Sequence, residues 1–346
     1  MRRRTFIQAT TSLSVASSAM GAAAVSLAGP PEKVGSETYG AWRDFDATTL
    51  IDEQALPLPE FVYAPTGGLA GQRNWHVFGN RRIQMFAATD GGLGLFDESQ
   101  GMRWLRYARP VDEDPHLAIH SREGANAWRQ WGALEFRTQT FGMQQVSRRH
   151  QAHGINVERT VLVPEGLHPW VAIRLRVTAA AGAQPQSLRV SERWPLEPRF
   201  LQTRQSAQSR DTAAGLVSYA IEHDPQQRRL SAMEVFSEGS GLIGEPRTLS
   251  IEVLGQTNAQ CTVETDASWP TLMANSQLEL QPGEQQNLWF RFGCLPAAKD
   301  GWVSNPQKEL LLSQQRHRSL FVDGWSQWAK ADLAEQRREL LWHQGV

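Results

Sequence analysis

From about residue 61 to residue 300 the chain is a succession of short runs with strand character, and no amphipathic helix interrupts them. In Trp170-Val171-Ala172-Ile173-Arg174-Leu175-Arg176-Val177 the aliphatic Ile173, Leu175 and Val177 alternate with Arg174 and Arg176. A period of two sends the two sets to opposite faces of a strand, so one face is core and the other is wet. Runs of the same kind include Ile83 to Ala88, Gly132 to Thr138, Asn156 to Val163, Leu188 to Trp194, Leu249 to Leu254 and Asn287 to Phe292. Turn sequences separate them, among them Asp90-Gly91-Gly92, His153-Gly154, Pro164-Glu165-Gly166 and Pro282-Gly283-Glu284. Parallel strands need long crossovers, so many short strands joined by turns read as a mainly β chain, a large antiparallel β-sandwich. No internal repeat appears, which argues against a propeller or a solenoid.

The pattern changes after Pro306. From Gln307 onward Leu310, Leu311, Leu320, Phe321, Trp325, Trp328, Leu333, Leu340 and Leu341 recur near helical spacing, predicting helices over about 307–315 and 318–343. Leu340-Leu341-Trp342-His343 makes an apolar stripe close to the terminus with no packing partner in view. Leu340 and Trp342 are therefore expected to be poorly packed, and the architecture is expected to continue beyond this chain, which would be a truncated or split form of something larger.

The first 28 residues read as a targeting segment. Arg3-Arg4-Thr5-Phe6-Ile7-Gln8 resembles the twin-arginine consensus, and the run behind it is dominated by Ala, Ser, Thr and Gly. Such residues transfer weakly into lipid, which disfavours a transmembrane anchor. Ser26-Leu27-Ala28 suits a signal peptidase, and Gly29-Pro30-Pro31 breaks any helix. The expected organisation is a leader at 1–28, an extended lead-in at 29–60, the sandwich at 61–305 and a helical linker at 306–346. Arg3, Arg4 and Phe6 make the twin-arginine translocase a partner and a periplasmic or secreted location the destination. Loss of the leader's three arginines takes 35 basic and 36 acidic residues to a net charge of about −4. That balance, with arginines scattered along the chain, gives no footprint for nucleic acid or for an anionic membrane. Cys261 and Cys294 lie in strand-like runs in a compartment that permits a disulfide; a bridge and two buried thiols both fit.

Between Gly132 and Phe200 the runs follow a particular order: Phe141-Gly142-Met143, Gly154-Ile155, Arg159 to Pro164, Trp170 to Leu175, and Ser191-Glu192-Arg193-Trp194. Upstream stand Gly91-Gly92-Leu93-Gly94-Leu95-Phe96, Arg106-Tyr107, Pro110-Val111-Asp112-Glu113 and Ile119-His120-Ser121-Arg122-Glu123. This series resembles the amino-terminal super-sandwich domain, galactose-mutarotase-like in fold, of cellobiose and chitobiose phosphorylases and related glycoside hydrolases. The resemblance covers most of residues 74 to 300. It implies an oligosaccharide or polysaccharide as ligand and a helical linker leading to an (α/α)6 barrel, joined or separately encoded. It also implies that the general acid lies in that barrel, so no catalytic residue is assigned within this chain. Where the family has Arg-Asp at the substrate-facing loop, this chain has Arg122-Glu123.

Arg122, Glu123, Trp128 and Trp131 lie within ten residues of one another. Indole rings stack on the apolar face of a pyranose while charged groups bond its hydroxyls, so these four are the candidate carbohydrate site; a surface loop beside a core strand is the plainer alternative. The chain carries 13 tryptophans, of which Trp170, Trp194 and Trp289 fall inside strand runs and are expected in the core. His150 and His153 read as a solvated hairpin turn rather than a metal site, and Asp112-Glu113-Asp114 as a solvated loop. Glu192, placed on the side of Val190 and Trp194, would need an arginine to be tolerated. No nucleophile elbow, phosphate loop or His-Glu-x-x-His motif occurs, and nothing implies a cofactor or a metal. Two functions fit: the sandwich portion of an exported glycoside hydrolase-like or phosphorylase-like protein that lacks its barrel, or a free-standing periplasmic carbohydrate-binding or scaffold protein. Phosphorolysis suits the periplasm poorly, since it would leave sugar phosphates outside the cell.

Overall fold

The computed structural model describes residues 33–34, 37–38, 40–42, 60–64, 66, 74–97, 103–105, 116–123, 127–131, 135–200, 217–238, 245–255, 259–265, 269–295 and 301–325. The leader with Arg3, Arg4 and Phe6, the acidic run Asp112 to Asp114, and Leu340 with Trp342 lie outside these residues.

Along the chain come β1 (Lys33–Val34), β2 (Glu37–Thr38), β3 (Gly40–Trp42), β4 (Glu60–Tyr63), β5 (Trp75–Gly79), β6 (Ile83–Ala88) and β7 (Leu93–Asp97). Then follow β8 (Arg103–Leu105), β9 (Leu117–Glu123), β10 (Ala127–Gln130), β11 (Glu135–Gly142), β12 (Gln145–Ala152), β13 (Ile155–Leu162), β14 (Trp170–Ala179) and β15 (Gln186–Pro195). The remaining strands are β16 (Pro198–Phe200), β17 (Val217–Asp224), β18 (Arg229–Phe236), β19 (Thr248–Leu254), β20 (Ala259–Glu264), β21 (Thr271–Leu280) and β22 (Gln285–Cys294). Two helices close the described chain, α1 (Gly301–Ser304) and α2 (Pro306–Trp325).

One ten-stranded sheet, ordered β17-β18-β19-β22-β14-β13-β12-β11-β4-β3, is the backbone of the fold. Two five-stranded sheets, β10-β9-β15-β21-β20 and β16-β8-β7-β6-β5, cover one face of it. The strand pairings are antiparallel, so the expected antiparallel β-sandwich is what the chain forms. Within 29–60, read as a lead-in, Gly40–Trp42 joins the ten-stranded sheet as its last strand, paired to β4.

The alternation in β14 acts as its sequence implies. Ile173, Leu175 and Val177 are fully buried and stand beside Phe290 and Leu288 of β22 and Val161 and Val157 of β13. Trp194 of β15 stacks flat on Phe292 of β22 with ring centroids 4.0 Å apart, joining the two sheets. Each such side chain removed from water contributes about 1.5–3 kcal/mol.

The core also contains charge. Glu192 is fully buried on the inner face of β15, and Arg159 reaches it from β13 across the sandwich. Arg159 Nε donates to Glu192 Oε2 at 2.8 Å, its Nη2 donates to Oε1, and Trp194 Nε1 donates to Oε1 at 2.8 Å. The arginine that Glu192 requires is thus present, and the carboxylate is paid for by three donors. A second buried pair, Glu234 with Arg247, ties β18 to the segment entering β19. Trp170, Trp194 and Trp289 are all buried, as their strand positions predict. Cys261 and Cys294 are both buried free thiols.

The helices pack on the other face of the ten-stranded sheet. Trp302 of α1 meets Trp170 edge-on at 5.6 Å and Trp289 at 6.4 Å, and Leu310 of α2 joins the same cluster. Asn305 caps α2, its Oδ1 accepting from Lys308 N at 3.1 Å, and Pro306 takes the first helical position, where its missing N–H costs nothing. The expected break between 315 and 318 is not there. No Gly or Pro lies between Gln307 and Asp323, and Ser313 and His317, one turn apart, both dock against the loop at Glu165. A surface shared across that turn holds the helix continuous.

The histidine pair is also placed differently from its sequence reading. His150 lies within β12, buried, while His153 occupies the turn with φ of 49°. His150 stands opposite the buried Val157, on the inward phase of β12, so it belongs to the interior and not to a solvated turn.

Candidate functional site

The sheet β10-β9-β15-β21-β20 turns one face to the core and the other outward. Its register assigns the faces. Leu117 pairs with Glu192, Ile119 with Val190, and these point inward; Ala118 pairs with Ser191 and His120 with Arg189, and these point outward. Arg122 continues the outward row of β9, with Trp128 of β10 directly opposite it. On β21 the outward row continues through Gln277 beside Arg189 and Asn275 beside Ser191.

Trp128 is half-buried on this surface, and the Arg189 guanidinium lies over its ring at 5.4 Å from the centroid. The cation both orients the indole and leaves a flat aromatic and guanidinium platform. Beside it, Ser191 Oγ donates to Asn275 Oδ1, and Asn275 Nδ2 donates to Thr262 Oγ1 at 2.7 Å. Arg193 pairs with Glu264 at 2.6 Å. Burial lowers the pKa of His120 from its ordinary value and the nearby Arg189 and Arg193 charges lower it further, against a ring hydrogen bond to the Arg189 backbone, so the ring is neutral at pH 7.

The four residues of the sequence-based candidate site do not share one face. Arg122 and Trp128 share the outward face. Glu123 sits one position on, on the reverse side of the hairpin, where Arg129 donates to it at 3.1 Å. Trp131 lies past the end of β10, buried in the core cluster, with its ring 5.0 Å from His153 and its backbone N–H bonded to Ile119 O. Arg189, His120 and Asn275 belong to the platform and were not singled out. For Arg189 the trace in sequence is alternation, the polar phase Ser187, Arg189, Ser191, Arg193 running against Leu188 and Val190.

The chemistry available here is binding. A ring face packs against the C–H side of a pyranose, while guanidinium, imidazole and amide groups bond hydroxyls. Of the carboxylates on this face among the described residues, Glu264 is engaged by Arg193 and Glu279 accepts from Ser187 Oγ at 2.6 Å. Among the described residues no three His, Cys, Asp or Glu side chains gather to hold a metal ion.

No family model matches the chain, and no curated protein matches it. Solved structures similar to it include one described as a kojibiose phosphorylase from the human microbiome, at 10% identity and a TM-score of 0.40, covering 82% of this chain and 37% of that one. A polysaccharide lyase follows at 16% identity and 0.38, covering 66% and 33%. A galactose mutarotase related enzyme from Lactobacillus acidophilus is similar at 6% identity and 0.34, covering 65% of this chain and 99% of that one. The chain spans about a third of the length of the first two. At these TM-scores the likeness assigns neither family nor activity.

Proposed function

We propose that this chain is the saccharide-holding sandwich of an exported carbohydrate-active protein, with an oligosaccharide or polysaccharide seated on the outward face of β10-β9-β15-β21-β20. The observation that carries the reading is the Trp128 ring, flanked by Arg122 and covered by Arg189, beside the neutral His120 and the Asn275 amide. The leader read at Arg3, Arg4 and Phe6 supports delivery by the twin-arginine translocase to the periplasm or beyond. Any bond cleavage would be supplied by a helical barrel, joined or separately encoded, as in the glycoside phosphorylase and hydrolase proteins that the sequence resembles.

Titration calorimetry of the full chain against a panel of neutral oligosaccharides tests the reading. One or more of them binds, and Trp128→Ala weakens that binding about tenfold, the loss of a stacking contact. No heat with any member of the panel sinks the proposal. Release of sugar by the purified chain alone would overturn the assignment of cleavage to a barrel.

A further inference from the structure

On the far side of the molecule, the outer face of β12, β13, β14 and β22 carries an imbalance of charge that the platform does not use. Glu158 faces three guanidinium groups: it accepts from Arg149 Nε at 2.7 Å and Arg174 Nη2 at 3.2 Å, and Arg176 Nη1 forms an ion pair with it at 3.4 Å. Glu158 is the one carboxylate on that face of those four strands among the described residues. Three arginines against one glutamate leave two positive charges uncompensated, and three planar forks of five N–H groups each are far more than two carboxylate oxygens can take up.

The array is held close and partly dry. Arg174 and Glu158 are 15% and 13% exposed, while Arg149 and Arg176 remain open at 56% and 35%. Burial, and then the charge of Arg176, lowers the pKa of Arg174, so the like charges work against one another as the surface stands. Further along the same face the outward side chains are uncharged hydrogen-bonding groups: Asn156, Thr178 opposite it, and Asn287 opposite Arg176. A ligand that fits brings negative charge at the arginines and hydroxyl groups at the amides.

We infer that this face is a second binding surface, specific for an acidic glycan whose carboxylate or sulfate groups lie on Arg149 and Arg176 and whose hydroxyls meet Asn156 and Asn287. The choice of a glycan over another anion rests on the carbohydrate reading above; the anion requirement rests on the arginines alone.

The test uses the full chain in affinity gel electrophoresis with polygalacturonate, with the same polymer fully methyl-esterified, and with free sulfate as competitor. Wild type is retarded by polygalacturonate and not by the ester, and added salt weakens the retardation. Arg149→Gln with Arg176→Gln, which keeps Arg174 as the partner of Glu158, weakens retardation about tenfold with unchanged melting temperature. Trp128→Ala leaves it intact. Equal retardation of the double variant, equal binding of the ester, or complete displacement by sulfate at matched charge overturns the inference. Loss of polygalacturonate binding in Trp128→Ala alone moves the acidic glycan to the other face and leaves the first reading standing. A chain that binds polygalacturonate through the arginines but no neutral sugar keeps this surface and refutes the first.

Discussion

His76 makes the fold sensitive to acid by a predictable amount. Its ring is fully enclosed where β5 packs over β11, stacked on Phe78 at 5.3 Å and tilted against Phe141 at 5.3 Å, and Nε2–H donates to Gly142 O at 2.8 Å. Burial disfavours the imidazolium and takes the pKa down to about 4, with the Gly142 carbonyl opposing the shift. The unfolded chain takes up a proton near pH 6.5, whereas the folded chain does not until about pH 4. Stability from this residue is therefore complete above pH 6.5, falls as pH drops toward 4, and changes no further below that. At 1.36 kcal/mol per unit the total is about 3 kcal/mol, of which about 2 kcal/mol is gone by pH 5. Urea unfolding of wild type and His76→Gln between pH 7.5 and 4.5 measures it, because glutamine can keep a donor toward Gly142 but cannot titrate. The variant starts less stable, having lost the ring contacts, and the gap to wild type narrows by about 2 kcal/mol between pH 7.5 and 5. Two curves that run parallel across the range would refute the argument.

Two further outcomes follow from the interior. Glu192→Gln strands the Arg159 guanidinium in the core and costs about 3–5 kcal/mol in urea unfolding, whereas Arg159→Met combined with Glu192→Leu recovers much of the loss. A cost below about 1 kcal/mol for the single change would mean that water reaches the pair. Burial pushes both thiols up to about 12, for Cys261 with help from Glu252, so neither reacts with a thiol reagent at pH 8 in the native protein and both react in urea. Rapid native labelling of either would contradict their burial.

The sequence makes the class of fold legible and hides the neighbourhoods. Alternation in Trp170 to Val177 states which side chains are wet, because a strand permits only two faces. It also implies that Glu192, on the same side as Val190 and Trp194, needs a cation. It cannot say that the cation is Arg159, since that depends on β13 and β15 lying in different sheets that face each other. The candidate site fails to be legible for the same reason. Arg122 and Trp128 are neighbours through a hairpin a few residues long, so closeness in sequence brings them to one face. Glu123 and Trp131 are as close in sequence, but Glu123 falls in the opposite phase, exposed on the other face of the hairpin, and Trp131 lies past the strand end in the core, so neither shares the face of Trp128. Arg189 reaches Trp128 only because β15 pairs with β9. Such pairing is a choice among many strands of similar composition, and local pattern carries no information about it. The arginine array shows the limit most plainly. Arg174 and Arg176 read as an ordinary wet phase, and nothing in a single strand reveals that Arg149 and both of them converge on Glu158. Charge that looks dispersed along the chain is concentrated by the sheet, so the near-neutral balance of the whole molecule is no guide to what either face will bind.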